Sequence, residues 1–177
     1  MKKTFLLLIY FFSVNSVFAQ LIPIDEGSTV TFKIKNFGFE VNGTLQGLKG
    51  SINFDPKNLN AGNINVSIDA NSINTNNHLR DSHLKDVDYF DVKTHPTISF
   101  NSDKIISKNS AYQAQGKLRI KGISKDQIIP FTILKIENGY VFKSQFKIKR
   151  NDFGIGGTST ISNELEVYLH IVSVKNQ

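Results

Sequence analysis

Arg80, Asp81 and His83 fall within one stretch of four residues. A guanidinium and an imidazole set that close can meet a phosphate or carbonyl head group through charge-assisted hydrogen bonds. Both side chains can equally bond neighbouring backbone, and the residues alone leave that choice open for Arg80 and His83. Asp81 suits the structural task, pairing with nearby backbone to pin its segment. Other chemistry finds little support. His78 and His83 are five apart, which suits one helix face poorly, and His95 and His170 are remote. Without an H-x-x-x-H pair no metal is expected. Asp86, Asp88 and Asp91 read as a solvated acidic loop. No G-x-S-x-G accompanies the many serines. The absence of cysteine excludes thiol catalysis, thiolate metal sites and disulfides. No catalytic residue and no cofactor are assigned.

The segment that carries these residues is the exception in the chain. Asn76 to Asp91 (NNHLRDSHLKDVDYFD) spaces Leu79 and His83 four apart, and Leu84 and Val87 three apart. This predicts a short helix, capped by Asn76 or Asn77 and ending near Asp86. Almost everywhere else the period is two. Val30, Phe32 and Ile34 alternate with Thr31, Lys33 and Lys35, and Ile64 to Ala70 alternate with Asn65, Ser67 and Asp69. The same holds for Tyr112 to Lys121, for Tyr140 to Lys149 and for Glu164 to Ile171. Shorter candidates lie at Phe37 to Leu48, Ser51 to Phe54, Thr97 to Ser102 and Ile128 to Ile136. These are half-buried strands separated by turns. Eight or nine strands with short links predict an all-β antiparallel meander, with one short helical insertion across one end.

So many strands must close or protect their edges, and about eight can close into a barrel around a small lumen. Alternation does not say which face points inward. Lysines at positions 33, 35, 117, 121, 143, 147 and 149, with Arg119, would crowd a narrow lumen with like charge. Turned outward, they are solvated. The apolar face therefore points in, and it offers Phe32, Ile34, Phe54, Phe100, Tyr112, Ala114, Phe131, Phe142 and Phe146 as a candidate pore wall. Phe37, Phe39, Phe90 and Phe153 lie near strand ends or turns, as candidate mouth residues or as core plugs. Gly43, Gly47 and Gly116 either make room inside or let strands bend.

The first residues fall outside this pattern. Lys2 and Lys3 precede an apolar run, FLLLIYFF, and then Val17-Phe18-Ala19. This is the layout of a secretory signal peptide, with cleavage expected after Ala19. The remaining residues 20–177 form one domain, expected in the periplasm or secreted without stable membrane insertion. Its net charge of +6 falls to +4 when Lys2 and Lys3 leave, 6 minus 2. The basic residues are dispersed, so no nucleic-acid partner is expected.

One stretch is more specific than any pattern. SINTNNHLRDSHL (72–84) is followed by Tyr89-Phe90-Asp91 and then HPTISF (95–100). With Lys35-Asn36-Phe37-Gly38-Phe39, GKLRIKG (116–122) and Asp152-Phe153-Gly154-Ile155-Gly156, this resembles the YceI-like family of polyisoprenoid-binding periplasmic proteins. Tyr89 and Asn36 depart from that family's usual Phe and His. The resemblance implies an extended lipocalin-like barrel. It implies a polyisoprenoid, isoprenoid quinone or fatty-acyl derivative in the pore, and binding rather than catalysis. The alternatives are a filled barrel acting through its surface, alone or as a homodimer, and more weakly an enzyme acting on a lipid head group near Arg80 and His83.

Overall fold

The computed structural model describes residues 20–157 and 160–176. The segment read as a signal peptide, residues 1–19, lies outside them. Eight strands run in chain order: β1 (Gln20–Asn36), β2 (Phe39–Asn53), β3 (Asn63–Asn74), β4 (Thr97–Lys108), β5 (Ala111–Ile120), β6 (Ile123–Ile136), β7 (Gly139–Lys149) and β8 (Ile161–Lys175). Each pairs antiparallel with the next, and β1 also pairs with β8, which closes the barrel. No edge is left to template pairing with another chain.

The count is eight because two short candidates are one strand. Phe37 to Leu48 and Ser51 to Phe54 merge into β2, which shifts register against β3 between Thr44 and Lys49. The glycines nearby make no room inside. A Cβ on Gly43 would lie 2.2 Å from the Phe32 ring, so the ring of β1 lies across bare β2 backbone. At Gly116 a Cβ would lie 2.1 Å from the Asn101 carbonyl oxygen of β4. Both permit close approach and enclose no space. The lysine stripes do face outward: Lys33, Lys35, Lys117, Arg119, Lys143, Lys147 and Lys149 are all exposed.

An up-and-down barrel has two unlike ends. At the base lie the start of β1 at Gln20, the end of β8 at Lys175 and the β2–β3, β4–β5 and β6–β7 links. Here Phe54 sits among four rings, with centroids 5.1 Å from Tyr112, 5.8 Å from Phe131, 5.7 Å from Tyr140 and 5.5 Å from Phe142. All four contacts are edge-on, the arrangement that ring quadrupoles favour. Leu21, Ile52, Ile105 and Ala114 complete this plug. Ser173 in β8 is fully buried, and its hydroxyl has no hydrogen-bond partner among the described residues. An unmet hydroxyl in an apolar site costs its desolvation, so Ser173→Ala is expected to match or exceed the native stability, by up to about 1 kcal/mol. Urea unfolding measures this, and a clear loss would mean that the hydroxyl is in fact bonded.

The other end carries the β1–β2 and β5–β6 hairpins, the β7–β8 connection and the long β3–β4 connection. The last of these contains helix α1 (His78–Lys85). Asn77 caps α1 by accepting from the Arg80 backbone N–H at 3.0 Å, and Asp86 ends it.

Candidate ligand-binding cavity

Between plug and helix the barrel is hollow. A cavity of about 580 Å³ runs up its interior. The alternation that built the strands supplies its wall: Val30, Phe32 and Ile34 from β1, Ile64 and Val66 from β3, and Phe142, Phe146 and Ile148 from β7. Leu165, Val167, Leu169 and Ile171 from β8 complete the circuit.

Seven of the thirteen residues read from the sequence as pore wall line this cavity: Phe32, Ile34, Phe90, Phe100, Phe131, Phe142 and Phe146. The other six do not. Phe54, Tyr112 and Ala114 lie in the basal plug, where Ala114 has no exposure at all. Phe153 is 2% exposed and packs into the core from the β7–β8 connection. Phe37 and Phe39 stand at the helix end but point into solvent, 73% and 78% exposed. Aliphatic side chains share this wall: Val30 has the parity of Phe32 on β1, and Val66, Val167 and Leu169 fall on the inward positions of β3 and β8, which period two alone identifies.

The helix end is polar. Thr75, Asn77, Arg80 and His83 border the cavity there. Thr75 is buried and holds the group together. Its backbone N–H and hydroxyl both donate to one oxygen of Asp81, at 2.8 and 2.5 Å. In turn its hydroxyl and carbonyl oxygens accept from Arg80 Nε and Nη2, each at 2.7 Å. Burial opposes the charged form of Asp81, but the Thr75 bonds and the neighbouring Arg80 and Lys85 outweigh it. The carboxyl is thus held below its ordinary value of 3.8. Asp81 is a fastener for α1, as expected. Arg80 gives Thr75 two of its five guanidinium N–H donors, and its side chain also borders the cavity. His83 is exposed at the rim.

Sequence reading missed Arg150. It is 5% exposed and lines the cavity from the first residue after β7. Its Nε donates to the Ser162 carbonyl at 3.1 Å, Nη1 to those of Ile155 and Gly157 at 2.6 and 3.0 Å, and Nη2 to that of Ile161 at 3.0 Å. The signal was present. Tyr140, Phe142, Ser144, Phe146 and Ile148 face inward, and Arg150 continues their parity, not that of the outward lysines.

The cavity communicates with solvent beside α1. Asn77, Leu79 and His83 both line it and are exposed, whereas the basal plug is buried. Among the described residues no three His, Asp or Glu side chains gather as a metal site, and no helix is long and apolar enough to cross a membrane.

The family model of the YceI-like domain matches residues 23–173. A UPF0312 protein of Pseudomonas paraeruginosa is 30% identical over 154 residues, covering 82% of this chain and 81% of that protein. Protein YceI of Salmonella arizonae is 28% identical over 191 aligned positions, covering 100% of both. Among solved structures, BcnA of Burkholderia cenocepacia aligns with a TM-score of 0.79 at 25% identity, over 84% of this chain and 98% of that one. A polyisoprenoid binding domain from Saccharophagus degradans shares the fold, with a TM-score of 0.73 at 14% identity over 88% and 98% of the two chains.

Proposed function

The chain belongs to the YceI-like family, and from that premise we propose that its barrel binds a long apolar lipid, a polyisoprenoid, an isoprenoid quinone or a fatty-acyl derivative. It acts by carriage or storage, without catalysis, in the periplasm or outside the cell. One observation carries this reading: an apolar cavity of about 580 Å³, plugged at one end and open beside polar groups at the other. That volume falls within the ~300–1,000 Å³ of ordinary ligand pockets. An apolar cavity of about 150 Å³ in another protein already takes up benzene. A barrel acting only through its surface has no use for such a space, since interiors otherwise pack like organic crystals. The fold neighbour described as polyisoprenoid binding supports the ligand class.

The driving force is removal of the chain from water. Each buried methylene is worth ~0.8 kcal/mol, so about twenty carbons give a gross gain near 16 kcal/mol. Lost freedom of the guest offsets several kcal/mol of this. The polar group of the lipid is expected beside Arg80, Asn77 and His83, and the tail toward Phe131 and Phe142.

Native mass spectrometry and organic extraction of the chain from Gln20, which holds every strand, test the proposal. A co-purifying lipid in roughly one-to-one ratio is the expected result for a single pocket. Repeated absence of a guest, with no uptake of added isoprenoid or fatty acid, overturns it.

A further inference from the structure

The end of the barrel where the cavity opens exposes large apolar side chains on its projecting parts. Phe37 and Phe39 sit at the β1–β2 hairpin, and Leu79 and Val87 on α1 and the turn after it, at 73%, 78%, 69% and 67% exposure. The hairpin itself is unusual. Asn36 pairs with Phe39, so Phe37 and Gly38 form a two-residue loop. Both have positive φ, 51° and 82°. Such loops favour Asn-Gly, because an L residue with a bulky side chain is strained at positive φ. A phenyl ring there is unfavourable for the backbone, and its exposure means that packing in the free protein does not compensate.

We propose that these side chains insert into the surface of a lipid bilayer and seat the mouth of the cavity on it. The inference extends the carrier reading, because a lipid that passes from bilayer to cavity at a seated mouth never crosses water. Leu79 joins the two features, since it both lines the cavity and is exposed at the rim. A protein partner fits less well. A stable protein interface covers about 800 Å² on each side with a packed centre, whereas these anchors stand on two separate elements around an opening. Shallow insertion of a few apolar side chains suits an interfacial contact.

The test uses the chain from Gln20 and sedimentation with vesicles of phosphatidylcholine, with and without phosphatidylglycerol. The native chain is expected to bind both kinds, because the anchors are apolar. The double variant Phe37→Asn, Phe39→Ser is expected to lose roughly tenfold in partitioning for each ring removed. Asn at position 37 suits the turn, so a raised or unchanged melting temperature separates lost docking from lost folding. Leu134→Ser, at an exposed apolar position on the barrel wall, is expected to bind like the native chain. No vesicle binding by the native chain overturns the proposal. So does equal binding by the double variant, or a dimer, seen by light scattering, that the variant abolishes while vesicle binding is absent. Because the assay needs no cargo, docking without any extractable lipid would sink the carrier reading and leave docking standing.

Discussion

A chain carrying Val66→Phe and Val167→Phe is expected to fold into the same barrel and to purify without its apolar guest. Both valines line the cavity, on β3 and β8, and both are only half-buried. A larger side chain in a packed core forces strained rotamers, typically at 1–3 kcal/mol, roughly. Here the added rings enter about 580 Å³ of open space and gain dispersion contacts that the wall now lacks. The melting temperature should therefore hold or rise. Uptake should fall, because each methylene denied a place forfeits ~0.8 kcal/mol. Loss of about four gives roughly 3 kcal/mol, or some two orders of magnitude in affinity. Ala114→Phe is the matched control. Ala114 is fully buried in the basal plug and outside the cavity wall, so a comparable addition of bulk should lower stability and spare the guest. Extraction and thermal melts of the two variants make the comparison. Retention of a guest at the native ratio by the doubly filled barrel would place the lipid somewhere other than the lumen.

The contrast between Val66 and Ala114 marks what alternation in a sequence can and cannot convey. Period two places both inward, and the outward lysines confirm that face. Height along the barrel axis is what separates wall from plug. Height follows from register and closure, which depend on pairings such as Thr44 with Asn74 and Phe32 with Val167. Those are long-range facts. The Asn77 cap and the Asp81 fastener were readable because their partners, Arg80 and Thr75, lie three and six residues away. Phe37, read as a mouth residue or a core plug, stands at the mouth end and plugs nothing, because the two-residue loop turns its ring into solvent.

Apolar walls also limit what the barrel can choose. One methylene more or less in such a pocket is worth only about 1–3 kcal/mol, so chain length is poorly discriminated. On the proposed carrier function, selection among lipids would then fall to the polar end, where Arg80 and Asn77 meet the cavity and Thr75 fixes the guanidinium.

Arg150→Met is expected to cost about 3–5 kcal/mol, because several buried carbonyls lose their bonds to a charged donor together. Methionine keeps apolar bulk but no donor. The carbonyls of Ile155, Gly157, Ile161 and Ser162 then lose the N–H groups that Arg150 now offers. Bonds to a charged donor are worth roughly 1.5–3 kcal/mol each, and the four do not add, because relaxation at one frees the others. For a chain of this size the loss corresponds to roughly 6–20 °C in melting temperature. Arg150→Lys should fall between the two. It keeps the charge but replaces a planar fork with a point donor, which cannot reach carbonyls on both sides of the connection at once. The damage should also be local. Two of the four carbonyls belong to the link from β7 to β8 and two to the first residues of β8, and the link is tied to the β3–β4 connection by the Gly156 N–H bond to the Asp88 carbonyl at 2.8 Å. Hydrogen exchange should therefore rise first around residues 150–157 and 86–91, before the basal plug opens. Urea unfolding and exchange read on the same variant test both halves. A loss under about 1 kcal/mol would mean that the carbonyls find water as readily as they found the guanidinium.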